Sequence, residues 1–252
     1  MNDDAKRGGT PVRLDKFFSS AGLLTRRETA IAVRRGEILQ NGLPVSRPDI
    51  QVEPETDRIT LRGEPVVYRK HVYLFLHKPA GYVSATEDGR FPVVTDLLPE
   101  AERRRGLFPC GRLDKDTTGL MLLTDDGALC HALLSPRHGV GKIYRFLCDL
   151  PLPPEAEKIL ADGLTLANGE TCRAALLQAD DDRLGGYITL TEGKYHEVRR
   201  LVAALGSHVT SLCRVSFAGI ALDPALAPGE FRSATEEELE ILHAAVAKKP
   251  TK

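Results

Sequence analysis

Between Cys110 and Gly127 the chain reads CGRLDKDTTGLMLLTDDG, which sets two carboxylates, Asp114 and Asp116, ahead of an apolar run, GLMLLT. That run reads as a buried strand, so one or both acids project from a loop at its entrance. An ionised carboxylate in such a place can serve as nucleophile or base. The same residue types also cap turns, and the spacing alone does not separate the two roles. A calcium loop of the EF-hand type does not fit, because its fixed acidic spacing and terminal Glu are missing. Three other segments carry reactive types. Lys78-Pro79-Ala80-Gly81 is a turn in which Pro removes a donor and Gly permits a sharp reversal. Lys142-Ile143-Tyr144 opens a strand, and EGKYHEVRRLVAALG, Glu192 to Gly206, joins a turn to an amphipathic basic helix.

These residues need elements to position them. The 252 residues, 42% hydrophobic and 27% charged, are enough for one large domain or for a small and a larger one. No apolar run reaches the roughly 20 residues that span a bilayer. The first residues, MNDDAKRGGTP, hold no apolar stretch of signal-peptide type and read as a loose tail, which makes the protein cytoplasmic. The five cysteines, Cys110, Cys130, Cys148, Cys172 and Cys213, are widely spaced with no C-x-x-C pair, so neither a disulfide framework nor a zinc site is expected. From His71 onward strands and helices interleave. Strands are expected at GLMLLT, KIYRFLCDL, AALLQAD and GGYITLTE, and helices near GALCHALL, PEAEKILADG, HEVRRLVAALG and TEEELEILHAAV. The order is that of an α+β domain with a mixed, mainly antiparallel sheet.

The N-terminal part is punctuated differently. RLDKFFSSAG carries Leu14, Phe17 and Phe18 at helical spacing and stops at Gly22. A second helix follows, with Thr25 and Glu28 as a capping box and Ala30, Ile31 and Val33 as its apolar side. Asn41-Gly42 then marks a hairpin. Net charge is only −1, yet Pro11 to Ile50 holds seven Arg or Lys (Arg13, Lys16, Arg26, Arg27, Arg34, Arg35, Arg47) against four acids (Asp15, Glu28, Glu37, Asp49). Arg27 and Arg34, seven residues apart, share one helix face. Two helices and an N-G hairpin, with RLDKF and T-R-R in place, resemble the S4 RNA-binding module. The resemblance implies phosphate contacts from Arg13, Lys16, Arg26, Arg27, Arg34 and Arg35. The expected layout is a tail at 1–10, an S4 domain at 11–60, a linker at 61–71, a catalytic domain at 72–246 and a tail at 247–252.

K-P-x-G, G-R-L-D-x-x-T-x-G-L, K-x-Y and E-G-x-x-H-x-V-x-R, in that order behind an S4 module, resemble the RsuA-type branch of the pseudouridine synthases over nearly the whole chain. The resemblance implies isomerisation of a uridine in ribosomal RNA by a pseudouridine synthase fold. No cofactor and no metal are required, since the reaction involves neither redox change nor hydrolysis. It gives Asp114 the catalytic carboxylate, Arg199 the cation beside it, and Tyr144 the ring that stacks on the base and assists proton removal from C5. Arg200 points about 100° away along the helix and is the poorer partner. Leu201 would be an apolar floor under the uracil, Arg112 would fill the gap in the RNA or bind phosphate, and Lys78 would lie at a turn by the substrate cleft. His131, His138 and His196 read as structural or RNA-contacting. Glu197 stands where the family commonly has Gln, a second acid able to compete for Arg199. TDDG, SPRH and PGEFRSATEEE look most like the members that act on 16S RNA, at the uridine 516 site in conventional rRNA numbering. The alternatives are a 23S synthase of the same branch and a noncatalytic S4-type ribosome-assembly factor. The partner is then ribosomal RNA, reached by base flipping, and the protein a monomer.

Overall fold

A computed structural model describes residues 10–68, 70–166 and 168–247. The expected tails at 1–9 and 248–252 lie outside the described residues, whereas Ala247 closes a helix, Glu236–Ala247. The chain forms two compact units, one reaching Val72 and taking in Leu98–Leu107, the other made of Tyr73–Leu97 and the part from Phe108 onward. Among the described residues no helix is long and apolar enough to cross a membrane.

In the first unit, helices Leu14–Ser20 and Arg26–Arg34 precede a small antiparallel sheet. The second helix begins with the expected reciprocal cap: Glu28 N–H donates to Thr25 Oγ1 and Thr25 N–H donates to Glu28 Oε2. Its buried face differs from the expected one. Thr29, Ala32 and Val33 face the core, the i, i+3, i+4 stripe, while Ala30 and Ile31 sit at its margin. Leu14, Phe17, Phe18, Ile38 and Ile59 complete that core. Strands Ile38–Gln40 and Leu43–Pro44 are joined by Asn41 and Gly42, whose positive φ values of 52° and 83° suit the tight hairpin turn. The span 61–71, expected as a linker, is partly folded. Strand Glu64–Pro65 pairs with Ile59–Leu61, and Tyr68 stacks on Phe17 at 5.1 Å, because apolar Val66 and Tyr68 have a core to join.

The second unit is built on a nine-stranded sheet. Its main path runs Leu176–Ala179, Gly185–Leu190, Lys142–Cys148, Val209–Phe217, Thr118–Thr124, Tyr73–Lys78 and Phe231–Ser233. All the strand pairings in this sheet are antiparallel except Val209–Phe217 with Thr118–Thr124. Residues Gly119 to Thr124 are all buried, which explains why GLMLLT is apolar without alternation. Helices Gly127–Leu134 and Glu236–Ala247 contribute Leu129, Leu133 and Leu242 to the core with Phe75, Leu120 and Leu122. The four expected strands and four expected helices are present. The strand Val209–Phe217 was not foreseen, since VTSLCRVSF neither alternates cleanly nor forms an apolar run.

Gly119 is where the parallel pairing closes. It lies opposite Arg214, has φ +107°, and a Cβ built on it would lie 2.3 Å from the Arg214 carbonyl oxygen. Gly119→Ala should therefore lower stability by about 2–4 kcal/mol, through strain and loss of the close approach. Thermal unfolding should register a drop of several degrees, while Gly89→Ala, with open space around it, leaves the melting temperature within about one degree.

Candidate active site

The loop from Cys110 to Thr117 has little regular structure, so its backbone groups must be satisfied by other means. Lys78 satisfies two of them, Lys115 O and Thr117 O. It is fully buried, and its ammonium donates to the carbonyls of Pro79 (3.0 Å), Lys115 (3.1 Å) and Thr117 (2.7 Å). Gly81 N–H adds a bond to Lys115 O at 2.8 Å. The K-P-x-G turn is thus a clamp on the acidic loop. Burial pulls the Lys78 ammonium down to about 8, against the pull of Asp116 and Asp114. The other end of the loop is held by Ser84, whose Oγ donates to Leu113 O and accepts from Leu113 N–H.

So fixed, Asp114 lines a cleft of about 590 Å³ together with Arg112, Tyr144 and His196. Its carboxylate, 28% exposed, lies 3.4 Å from His196 Nε2 and 3.7 Å from Arg199 Nε. Arg199 is more tightly engaged by Asp116, at 3.1 Å, and also donates to Val209 O. It bridges the two acids of the loop from helix Glu197–Ala204. Arg200, turned away as the helix geometry requires, pairs with Glu170. Lys142 and Tyr144 share one face of their strand, and both line the cleft, which is the period-two reason for the K-x-Y spacing.

Other residues stand elsewhere than expected. Leu201 is fully buried in the core and is not part of the cleft wall, because its helix turns that side inward; Leu113, Leu190 and Leu212 supply the apolar lining. Lys78 does not line the cleft either, and holds the loop instead. Arg112 is exposed at the cleft and makes no ion pair among the described residues. Arg13, Lys16, Arg26, Arg27, Arg34 and Arg35 belong to the first unit and are all exposed. Arg13 pairs with Asp15 at 2.8 Å and Arg35 lies 3.8 Å from Glu37, while the other four make no ion pair among the described residues.

Glu197 does not compete for Arg199. It is buried, accepts from Lys194 N–H, and faces Glu192. Burial, then the neighbouring Glu192 carboxylate, push its carboxyl up to about 7. Glu192 is itself buried, which raises it, but the Arg173 N–H, the Glu197 proton and the Lys194 charge hold it below the ordinary value. The donors of Cys172, Glu192 and Glu197 lie within 4.8 Å of one another. Lys194 lies 3.6 Å from Glu192, and Glu197 Oε1 has no hydrogen-bond partner among the described residues. Protonated Glu197 presents a neutral donor and acceptor, the chemistry of Gln.

Five cations, Arg112, Lys115, Lys142, Lys194 and Arg214, line the cleft against three acids, Asp88, Asp114 and Glu197. At its border Tyr195, 71% exposed, stacks on His196 with centroids 3.8 Å apart, and the Lys115 ammonium sits 3.8 Å over Phe91. A basic cleft edged by aromatic rings suits a nucleic-acid strand with an extruded base. Ser84 and Arg214 are the residues missed from sequence, and both lie in segments with no motif of their own; His196, read as structural or RNA-contacting, stands beside Asp114.

Comparison with known proteins agrees. Residues 72–204 match the family described as RNA pseudouridylate synthase. The chain is 42% identical to the uncharacterized RNA pseudouridine synthase YtzG of Bacillus subtilis, over 92% of this chain and 98% of that protein. It is 38% identical to the ribosomal small subunit pseudouridine synthase A of Pasteurella multocida, over 90% of this chain and 98% of that one. A crystal structure of a pseudouridylate synthase superposes with a TM-score of 0.63 at 35% identity, covering 92% of this chain and 99% of that one.

Two outcomes test this reading of the site. Lys78→Met removes the ammonium donor from three carbonyls, of which Lys115 O keeps its bond from Gly81 N–H; each carbonyl left unsatisfied costs about 1–3 kcal/mol. Thermal unfolding should shift down by several degrees, and any turnover assay should lose at least about tenfold. For Glu197 the folded value, about 7, lies above the ordinary 4.5, so its stabilising contribution is full below about 4.5 and lost as pH rises to about 7. Glu197→Gln removes that loss. Its melting temperature should match wild type near pH 5 and exceed it by several degrees at pH 8; an equal gap at both would contradict the buried acid.

Proposed function

The chain belongs to the RNA pseudouridylate synthase family, in its RsuA-type branch, and from that premise we propose that it converts one uridine of 16S ribosomal RNA to pseudouridine. The observation that carries the proposal is the placement of Asp114. It is a carboxylate on a clamped loop, beside the Arg199 guanidinium and the His196 ring, open to a cleft of about 590 Å³.

The chemistry needs little else. The N1–C1′ bond breaks, the base turns, and C5 joins the same sugar carbon, with no oxidant, water or metal consumed. In this proposal Asp114 acts at the ribose as nucleophile or base, with Arg199 and His196 beside its carboxylate. Tyr144 stacks on the uracil, a contact worth about 1–3 kcal/mol for a flipped base. Arg112 reaches a phosphate or the gap left in the RNA. The exposed arginines of the first unit hold the RNA backbone, raising the local concentration of the target. The small-subunit target is supported by the likeness to the Pasteurella multocida protein over almost its full length, and uridine 516 in conventional rRNA numbering is the site proposed.

Asp114→Asn should reduce pseudouridine formation on a 16S fragment below about one thousandth of wild type while RNA binding, measured by filter retention, stays within about twofold. Unchanged activity would remove Asp114 from the chemistry. Mapping pseudouridines in ribosomal RNA from a deletion strain should show one site lost from 16S RNA. A site lost from 23S RNA alone would instead favour the large-subunit alternative.

A further inference from the structure

One strongly charged group at the cleft has no role in this chemistry so far. Arg214 is 1% exposed, yet it lines the cleft. Its Nε donates to Leu120 O at 2.8 Å, and its Nη2 has no hydrogen-bond partner among the described residues. No carboxylate pairs with it there either. Its Cζ lies 5.0 Å from the Phe217 ring centroid, but a ring face and one carbonyl do not replace an ion pair, and a buried guanidinium so held is costly unless something in the site uses its charge.

The sheet shows what stands next to it. Tyr144 and Arg214 are direct partners on neighbouring antiparallel strands, and a bulge between Ile143 and Tyr144 sets that register. Cross-strand partners project to the same face with their side chains in contact range. On the other side of Tyr144 the partner is Ile188, which is apolar. Burial pushes the Tyr144 hydroxyl up, Arg214 draws it back down, and Glu197 and Asp114 push it up further. Lys142 is the other buried cation at this end, its ammonium bonded to Val140 O. Gly119 lets the Arg214 backbone approach the neighbouring strand, and the Leu120 carbonyl fixes the guanidinium.

We propose that Arg214 is a positioning residue for proton transfer: it holds the Tyr144 oxygen and shares its negative charge while that oxygen takes the proton from C5 of the base. This rests on the isomerase reading above. Once C5 has bonded to C1′, it still carries its hydrogen. The C5–H bond breaks and its electron pair becomes the C5=C6 double bond. The pair of the N1=C6 bond returns to N1, which takes a proton from water. Tyr144 first gives its phenolic proton to solvent; the phenolate held by Arg214 then accepts the C5 proton, which restores the phenol, so nothing is consumed and the base ends as neutral uracil joined through carbon.

The test is single-turnover conversion of a 16S fragment carrying uridine or 5-deuterouridine at the target, with wild type, Arg214→Gln, Arg214→Lys and Tyr144→Phe. Arg214→Gln should slow conversion about 100-fold and raise the isotope effect from near unity to about two- to fourfold, because proton removal becomes rate-limiting. Tyr144→Phe should show the same isotope effect, and the double variant should be no slower than the slower single one. Arg214→Lys, which keeps the charge, should recover part of the rate and lower the isotope effect. If Arg214→Gln does not fold, Arg214→Lys carries the test: a slower reaction with an isotope effect above wild type supports the proposal. A loss of rate with an isotope effect that stays near unity, or losses that multiply in the double variant, would overturn it. Wild type that forms no pseudouridine on either RNA overturns the isomerase reading itself, a different result from the other two.

Discussion

Burying the ammonium of Lys78 is tolerable because three backbone carbonyls surround it, two of which, Lys115 and Thr117, belong to the segment that presents Asp114. The bargain is mutual. A loop without ladder hydrogen bonds would leave its carbonyls unsatisfied beside a core, and a buried lysine without them would lose its proton or open the fold. Both needs are met by one contact. Around it the rest of the site is set: Ser84 pins Leu113, Arg199 bridges the two acids, and His196 reaches the free side of Asp114.

The sheet provides the second constraint. A single parallel pairing, Gly119 against Arg214, joins the strand behind the acidic loop to the strand that carries the cleft floor. Gly119 has no side chain because the Arg214 carbonyl occupies that space. The glycine of the G-R-L-D-x-x-T-x-G-L run therefore serves the packing of a distant segment, while its aspartate serves the cleft. Helix Glu197–Ala204 is tied at its start by the bond from Lys194 N–H to the Glu197 carboxyl, which helps fix the turn that delivers His196 and Arg199.

Much of this was legible in the sequence because the signals were local. The capping box at Thr25, the Asn41-Gly42 hairpin, the K-x-Y face and the apolar run after Asp114 follow from spacing and residue type. The α+β class follows from their order. What was not legible depends on distant partners. Nothing in VTSLCRVSF shows that its arginine lies opposite Tyr144 on the neighbouring strand, since that depends on a bulge and a register. Leu201 and Leu212 are equally apolar, and only the turn of a helix and the face of a strand decide which one meets the cleft. Lys78 read as a cleft residue because burial by backbone carbonyls leaves no trace in a one-dimensional pattern. Glu197 read as a rival for Arg199, whereas its partner is another acid five positions earlier.

The central claim is spatial: a uridine leaves its stack and its ribose comes to rest on the Asp114 side chain. The most direct measurement is a crystal structure of the Asp114→Asn protein bound to a 16S fragment containing the target uridine. The account predicts the uracil extruded into the cleft against Tyr144, with C1′ about 3–3.5 Å from the side chain at position 114. A uridine that stays stacked in the RNA, or a base bound with its ribose far from that side chain, would contradict it.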